Sequence, residues 1–205
     1  MGLRRIVLSR CGGWWLAARG VKTGPGLVLY GVPIVARAPG STISLGARVA
    51  LCSSPRYNPV GVNHPVILRT MCAGSELLIG DDSGLSGVAV CAALSVRIGR
   101  QCLLGANVTV TDCDFHPVAA PRRRFVADVR AAGCAPVVIE DNVWLGMNVL
   151  VLKGAHIGAH SVIAAGSVVT GAIPANCVAA GAPARVVRAL TAGECGDAAV
   201  QSKDV

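Results

Sequence analysis

Residues 137–188 read VVIEDNVWLGMNVLVLKGAHIGAHSVIAAGSVVTGAIPANCVAAGAPARVVR, and this stretch repeats with a period of six. Every hexad contributes one branched aliphatic residue: Ile139, Leu145, Val151, Ile157, Ile163 and Val169. A second column, four residues further on, is mostly small: Val143, Val149, Ala155, Ser161, Ser167 and Ile173. An amphipathic helix needs a period near 3.6 and a half-buried strand a period of 2, so neither element accounts for the pattern.

A short strand and a turn in every hexad predict a chain that winds as a triangular prism, with three hexads in each coil. Residues eighteen apart then stack, Ile139 on Ile157 and Leu145 on Ile163, and successive coils pair as parallel strands about 4.8 Å apart. The same spacing occurs upstream at Ile79, Leu85, Ile98, Leu104 and Val110. The sequence therefore predicts an all-β protein, a parallel β-helix of hexapeptide repeats.

Residues 137–188 resemble the C-terminal coils of hexapeptide-repeat acyltransferases of the maltose, galactoside and capsule or lipopolysaccharide O-acetyltransferase kind. Upstream, 40–46, 58–65 (NPVGVNHP), 79–80 and 83–87 (SGLSG) resemble the glycan-modifying branch of that family. The resemblance covers roughly residues 24–190 and implies a left-handed coil, although parallel crossovers generally favour the right hand. It also implies a homotrimer with active sites between neighbouring subunits.

We expect three regions: a short N-terminal helix or arm over 1–20, the β-helix domain over 21–190 and a flexible tail over 191–205. In the arm, Trp14 and Trp15 favour packing against the main domain, and the alternative is contact with a membrane surface. No apolar stretch reaches the roughly 18 residues that would span a bilayer.

Composition argues against a nucleic-acid partner. The formal net charge is +8, but the basic residues are scattered except at Arg122–Arg124, and aromatic residues make up only 3% of the chain. This leaves little surface for base stacking. The nine cysteines are odd in number and form no CxxC motif. They indicate buried free thiols rather than a disulfide framework, and hence a cytoplasmic protein.

The six-residue period breaks after Val110, where TDCDFHP (111–117) begins a non-repeating stretch that runs to about residue 135. A solenoid commonly interrupts its repeat with a functional loop. His116 is the candidate general base within it, because an imidazole can take a proton near neutral pH. Asp112 or Asp114 would orient the imidazole, or would instead stabilise the loop through bonds to its backbone. The resemblance implies that the histidine of this DxDxH-like segment is the catalytic base.

An acyl-CoA cosubstrate, such as acetyl-CoA, needs a wall along which pantetheine can lie close to the backbone. Small residues at Gly146, Ala164 and Ala165 allow that approach. Trp144 would border the ligand or pack at the coil edge. The resemblance implies further coenzyme contacts at Met147, Ala165 and Thr170, with the phosphates at Arg185 and Arg188. The chain departs from the family at Met147, where a small polar residue is common, and at Gly171, where a lysine is common.

The resemblance predicts an enzyme that moves an acyl group, expected to be acetyl, from acyl-CoA to a hydroxyl of a sugar or glycan. Ser86, Asn63 and His64 are candidates for the acceptor side, and turn formation is the alternative role for His64. Two other functions stay open: N-acylation of an amino sugar nucleotide, and a β-helix that only binds or scaffolds. A zinc enzyme of this fold would need three converging histidines, which the spacing does not provide, so no metal is expected.

Overall fold

The computed structural model of the chain describes residues 12–119, 121, 123–125 and 128–195. These residues wind into a left-handed β-helix whose three faces are three sheets, parallel throughout except at a final hairpin. The predicted fold class is confirmed.

The strands alternate between the faces in chain order. Sheet A contains β1 (Val21–Thr23), β4 (Thr42–Leu45), β7 (Glu76–Ile79), β10 (Ser95–Ile98), β13 (Val137–Ile139), β16 (His156–Ile157) and β19 (Ala172–Ile173). Sheet B contains β2 (Val28–Tyr30), β5 (Ala50–Cys52), β8 (Gly84–Ser86), β11 (Leu103–Leu104), β14 (Trp144–Leu145), β17 (Val162–Ile163), β20 (Cys177–Gly181) and β21 (Ala184–Ala189). Sheet C contains β3 (Ile34–Ala36), β6 (Ile67–Thr70), β9 (Ala89–Ala92), β12 (Thr109–Thr111), β15 (Leu150–Val151) and β18 (Val168–Val169).

The register of the coils follows the hexad columns of the sequence. The predicted stacking of residues eighteen apart is confirmed by the pairs Ile139 with Ile157, Leu145 with Ile163, and Val151 with Val169. The second column is buried as well: Val143, Val149, Ala155, Ser161, Ser167 and Ile173 are each exposed by 6% or less. One aliphatic and one smaller residue in each hexad therefore fill the interior, and the outward positions remain available for function.

Two insertions interrupt the coils. The first, 53–66, connects β5 in sheet B with β6 in sheet C and contains a short 3₁₀ turn at Pro55–Tyr57. The second, 112–136, connects β12 in sheet C with β13 in sheet A and contains a 3₁₀ turn at Val129–Ala132. In a three-faced prism, the corner between sheets C and A lies opposite the face formed by sheet B. The second insertion therefore leaves the coil on the far side from sheet B.

Helical residues 12–17 cover the first coil, with Leu16 fully buried and Trp14 82% exposed. The guanidinium of Arg19 lies 3.7 Å from the ring centroid of Trp15. The rest of the expected arm, 1–11, lies outside the described residues.

At the other end, the antiparallel pair β20–β21 closes the β-helix, and a short helix at Ala192–Cys195 follows. The expected flexible tail therefore begins with a helical turn, and 196–205 lie outside the described residues. None of the helices described here is long and apolar enough to cross a membrane.

Candidate active site

Asp112 begins the second insertion and is fully buried. Its Oδ1 accepts a hydrogen bond from the backbone N–H of Ala93, and its Oδ2 accepts from the N–H groups of Leu94 and Ser95, all at 2.7 Å. These three amides belong to the turn after β9 and to the first residue of β10, in the preceding coil. The carboxylate therefore fastens the start of the insertion to the preceding coil, which is the loop-stabilising role among the two that the sequence left open.

Asp114 faces a different partner. Its Oδ2 accepts from the Nζ of Lys153 at 2.5 Å, and its backbone N–H donates to the carbonyl of Gly133 at 3.2 Å. Both groups of this ion pair are about one third exposed, so the pair itself stabilises the fold only slightly. Through these two contacts, Asp114 joins the beginning of the insertion to its end near Gly133 and to the turn after β15.

His116 is exposed, and its Nδ1 lies 2.9 Å from the carbonyl oxygen of Arg123. A carbonyl can only accept, so Nδ1 carries the hydrogen and the neutral imidazole keeps its lone pair on Nε2. In the described residues, neither Asp112 nor Asp114 hydrogen-bonds this ring. A backbone carbonyl therefore fixes the tautomer. Every residue type has such a carbonyl, so the sequence does not reveal this role.

Local backbone geometry holds the ring in that position. Phe115 adopts φ 63°, a left-handed conformation that is unusual for a bulky side chain and turns the chain sharply before His116. Arg123 then donates from Nη2 to the carbonyl of Val118 at 2.6 Å. Together these contacts make a compact turn around the imidazole.

The backbones of Cys113 and Cys134 form an isolated antiparallel β-bridge at the base of the insertion, and both side chains are free thiols. Burial raises the pKa of the Cys134 thiol to about 11, and burial also raises the pKa of the Cys91 and Cys102 thiols. Thiols with raised pKa values stay protonated near neutral pH and are poor nucleophiles. These three cysteines are therefore unsuited to act as nucleophiles.

Sheet B carries a groove of about 510 Å³ that brings together most of the predicted coenzyme residues. Five of them line it: Trp144, Gly146, Met147, Ala164 and Ala165. Asn58, Pro59 and Val60 form a wall from the first insertion. That wall could not be found from the sequence, because its position depends on how the insertion folds back over the sheet.

The close packing of neighbouring coils requires glycine at position 146, whether or not a ligand binds there. A Cβ at this position would come within 2.5 Å of the backbone nitrogen of Ala165 in the next coil. The close stacking of the two turns therefore excludes any side chain there.

The three remaining coenzyme candidates lie outside the groove. Thr170 is exposed in the turn after β18, at the corner between sheets C and A. Arg185 and Arg188 lie on β21, where Arg188 donates to both carboxylate oxygens of Glu194 at 2.7 Å. This guanidinium lowers the pKa of Glu194 to about 2. Arg188 would therefore have to exchange an intramolecular partner for a phosphate.

Ser86 is the acceptor candidate that lines the groove, and it is the last residue of β8. Asn63 and His64 lie in the first insertion. The backbone N–H of Asn63 donates to the Oδ1 of Asn107 at 2.8 Å, and Nδ1 of His64 bonds the carbonyl of Pro65 at 2.8 Å. The contact of Asn63 uses its backbone and that of His64 uses one ring nitrogen, so the acceptor role of both residues stays a prediction.

Among the described residues, no three side chains of His, Cys, Asp or Glu converge as a metal site would require. All seven cysteines with described side chains are free thiols: Cys52, Cys72, Cys91, Cys102, Cys113, Cys134 and Cys177.

Comparison with known proteins places the repeats among transferases. Residues 136–171 match the family model of the bacterial transferase hexapeptide (six repeats), and 74–112 match that of the hexapeptide repeat of succinyl-transferase.

Two curated relatives each match a little under half of the chain. A galactoside O-acetyltransferase of Lactococcus lactis is 45% identical over 95 residues, which is 46% of this chain and 44% of the relative. A putative lipopolysaccharide biosynthesis O-acetyl transferase of Escherichia coli is 41% identical over 100 residues, 46% of this chain and 50% of the relative. The chain thus spans about half the length of the curated relatives it matches.

Solved structures agree with the fold. A hexapeptide-repeat acetyltransferase from Vibrio cholerae, complexed with acetyl coenzyme A, is 32% identical with a TM-score of 0.54, over 62% of this chain and 66% of that one. An N-acyltransferase from Bacillus cereus, complexed with dTDP and 3-hydroxybutyryl-CoA, has a TM-score of 0.64 over 87% of this chain and 88% of that one. At 14% identity, the second similarity establishes only the shared fold.

Proposed function

We propose that this chain, which carries the hexapeptide repeats of the acyltransferase type, moves an acyl group from acyl-CoA to a hydroxyl of a sugar or glycan. The observation that carries the proposal is the exposed His116 imidazole, with Nδ1 held by the Arg123 carbonyl. The neutral ring then offers Nε2 to a substrate. The groove on sheet B, which offers small residues close to the backbone, supports the acyl-CoA part of the proposal. The acetyltransferase names of the relatives support acetyl as the group transferred.

The reaction needs one base. Nε2 of His116 takes the proton of the acceptor hydroxyl as the oxygen attacks the thioester carbonyl. The carbon–oxygen bond forms, the carbon–sulfur bond breaks, and the coenzyme leaves as a thiolate that recovers the proton from the imidazolium. The Arg123 carbonyl accepts from the Nδ1 proton throughout, so the ring keeps its orientation while Nε2 gains and loses the proton.

Incubation of the purified chain with acetyl-CoA and a panel of neutral glycosides tests this function. Release of the coenzyme thiol that depends on the glycoside is the expected result. Release with amino sugar nucleotides alone would support the N-acyltransferase alternative. Binding of acetyl-CoA without release to any acceptor would leave the non-catalytic β-helix as the better account.

We propose that the working enzyme is a homotrimer. The insertion that holds His116 leaves the corner opposite sheet B, whereas the coenzyme groove lies on sheet B. One chain therefore does not bring its own base to its own groove, and a neighbouring chain would have to supply it. The insertion also exposes large apolar side chains, Val118 at 79% and Phe125 at 81%, which a neighbour would cover.

Sedimentation equilibrium at micromolar concentration should therefore give a mass three times the 20.8 kDa of the chain. Replacing Val118 and Phe125 by Ser should weaken the trimer, because burial of large apolar side chains drives association. The control is Trp14→Ser, which removes an equally exposed ring from the N-terminal helix, away from the insertion. A parent protein that sediments as a monomer would contradict the shared site.

The phosphates of the coenzyme are assigned to Arg185 and Arg188 at the closed end of the β-helix. The double variant Arg185→Ala, Arg188→Ala should weaken acyl-CoA binding by about tenfold or more, because each guanidinium can form charge-assisted bonds to a phosphate. Calorimetric titration measures this affinity. Added salt should also weaken acyl-CoA binding to the parent protein, because it screens the charges.

Arg48 and Arg100 provide a matched control for this double variant. Both are exposed arginines in surface ion pairs, with Asp82 and Asp141, far along the chain from β21. Their replacement by Ala should leave the affinity unchanged. An unchanged affinity in the Arg185, Arg188 variant would show that the phosphates bind elsewhere.

The free thiols of the described cysteines support a reducing compartment, and we propose the cytoplasm. The three-region division, with an arm over 1–20, the β-helix over 21–190 and a tail over 191–205, is likewise proposed for the whole chain.

A further inference from the structure

Aromatic residues are scarce in this protein, and three of them line one groove. The chain has three Trp, two Tyr and two Phe. Tyr30, Tyr57 and Trp144 all line a second groove of about 390 Å³ on sheet B. We propose that this groove is the acceptor subsite and binds an uncharged pyranose against its aromatic rings. The inference rests on the proposed function, because it names the acceptor that the acyl group would reach.

The register of sheet B explains why a depression forms there. The outward residues Val28, Ala50, Gly84, Leu103 and Trp144 are paired in successive strands from β2 to β14. The two small members lie in the middle, between bulkier neighbours on either side. Ala50 and Gly84 therefore form a floor, with Leu103 and Trp144 at one side of the depression.

The opposite wall is made of tyrosine. The ring centroids of Tyr30 and Tyr57 lie 5.4 Å apart with the planes tilted by 45°. Tyr57 ends the 3₁₀ turn of the first insertion, and Ser54 caps that turn by accepting from the N–H of Arg56. The Tyr57 ring remains 43% exposed although it lies against the sheet. A large aromatic surface is thus held in place and left open to a ligand.

The chemistry of the wall selects the ligand class. The face of an aromatic ring carries partial negative charge and attracts the weakly positive hydrogens of aliphatic C–H groups. One face of a pyranose presents such hydrogens, and its rim presents hydroxyls. Ser86 supplies a hydroxyl at the floor. No charged side chain of the described residues lines the groove, which favours a neutral sugar over a nucleotide sugar.

The position of the groove fits an acceptor. It shares Ser86, Gly105 and Trp144 with the coenzyme groove, so the two are continuous along sheet B. Arg185 and Arg188 lie at the β21 end of that sheet, and Tyr30 lies at the β2 end. A coenzyme whose phosphates bind at β21 would extend its acyl end toward the aromatic groove. The sugar and the thioester would therefore meet near Ser86.

Steady-state kinetics with acetyl-CoA and methyl galacto-, gluco- and mannopyranosides test the subsite. Tyr57→Leu keeps an apolar side chain but removes the ring face, and should raise the KM of the preferred glycoside by about tenfold. Tyr57→Phe should stay within about twofold of the parent, because it keeps the ring. The KM of acetyl-CoA should be unchanged in both variants.

Gly84→Val tests the floor instead of the wall. Its Cβ would meet only the Cδ2 of Leu103 at 3.6 Å, an ordinary contact, and valine is a favourable strand residue. The fold should therefore persist while the filled floor blocks the sugar and raises its KM by about tenfold or more. Trp14→Ala is the control, since Trp14 is 82% exposed and lines neither groove.

Direct binding separates this inference from the proposed function. Saturation-transfer NMR of the same methyl glycosides needs no turnover, and should show contact with the parent that Tyr57→Leu and Gly84→Val lose. A parent that binds a glycoside here but releases no thiol would overturn the proposed reaction and keep the subsite. The subsite is overturned if no glycoside binds the parent, if Tyr57→Leu behaves as Tyr57→Phe does, or if the variants raise the KM of acetyl-CoA instead.

Discussion

Replacing His116 by Asn is expected to lower the turnover number by about 10²- to 10⁴-fold, the usual contribution of a positioned general base. A sugar hydroxyl is a weak nucleophile near neutral pH, so its proton must leave as the carbon–oxygen bond forms. Asn has a similar size and keeps some hydrogen bonding, but it has no basic nitrogen. Thiol release from acetyl-CoA in the presence of a saturating glycoside measures the change.

Coenzyme affinity and the midpoint of thermal unfolding should stay near the parent values in His116→Asn, because the imidazole and its hydrogen bond to the Arg123 carbonyl are both exposed. His160→Asn is the matched control. His160 is also exposed and has φ 62°, a left-handed conformation that Asn tolerates. A folded His116→Asn protein that retained most of its rate would rule out this mechanism and return Asp112, Asp114 and His64 to consideration.

Replacing Asp112 by Ala should lower the free energy of unfolding by about 2 to 4 kcal/mol, the second large effect. The carboxylate is fully buried and accepts from three backbone amides at 2.7 Å. Truncation leaves those N–H groups without an acceptor, and a small cavity forms beside them. Chemical denaturation followed by circular dichroism measures the loss.

Asp114→Ala is the control for this prediction, because it removes the same type of side chain two residues away. Asp114 forms a partly exposed pair with Lys153, so its loss should cost less than about 1 kcal/mol. If Asp112→Ala instead kept its stability and lost turnover as His116→Asn does, Asp112 would belong to a catalytic dyad.

The sequence by itself determined the coil and its register. The hexad columns repeat every six residues, and each repeat is a local unit that meets its neighbour in the same way. The pairing of Ile139 with Ile157 could therefore be predicted without long-range information, and it is confirmed. For the same reason, Gly146 and Ala164 could be placed at one groove, since they occupy equivalent positions in stacked coils.

Only the tertiary structure decided how the insertions fold, because they have no repeat to copy. The Lys153 partner of Asp114 and the tyrosine pair beside Ser86 join residues distant in sequence. The Arg123 carbonyl meets His116 within the second insertion, where no repeat predicts the path of the chain. A backbone carbonyl is common to every residue type, so its role cannot be read from composition or spacing. The sequence thus made His116 a candidate, and the path of the folded chain decided which ring nitrogen bonds the backbone and at which corner of the β-helix the residue lies.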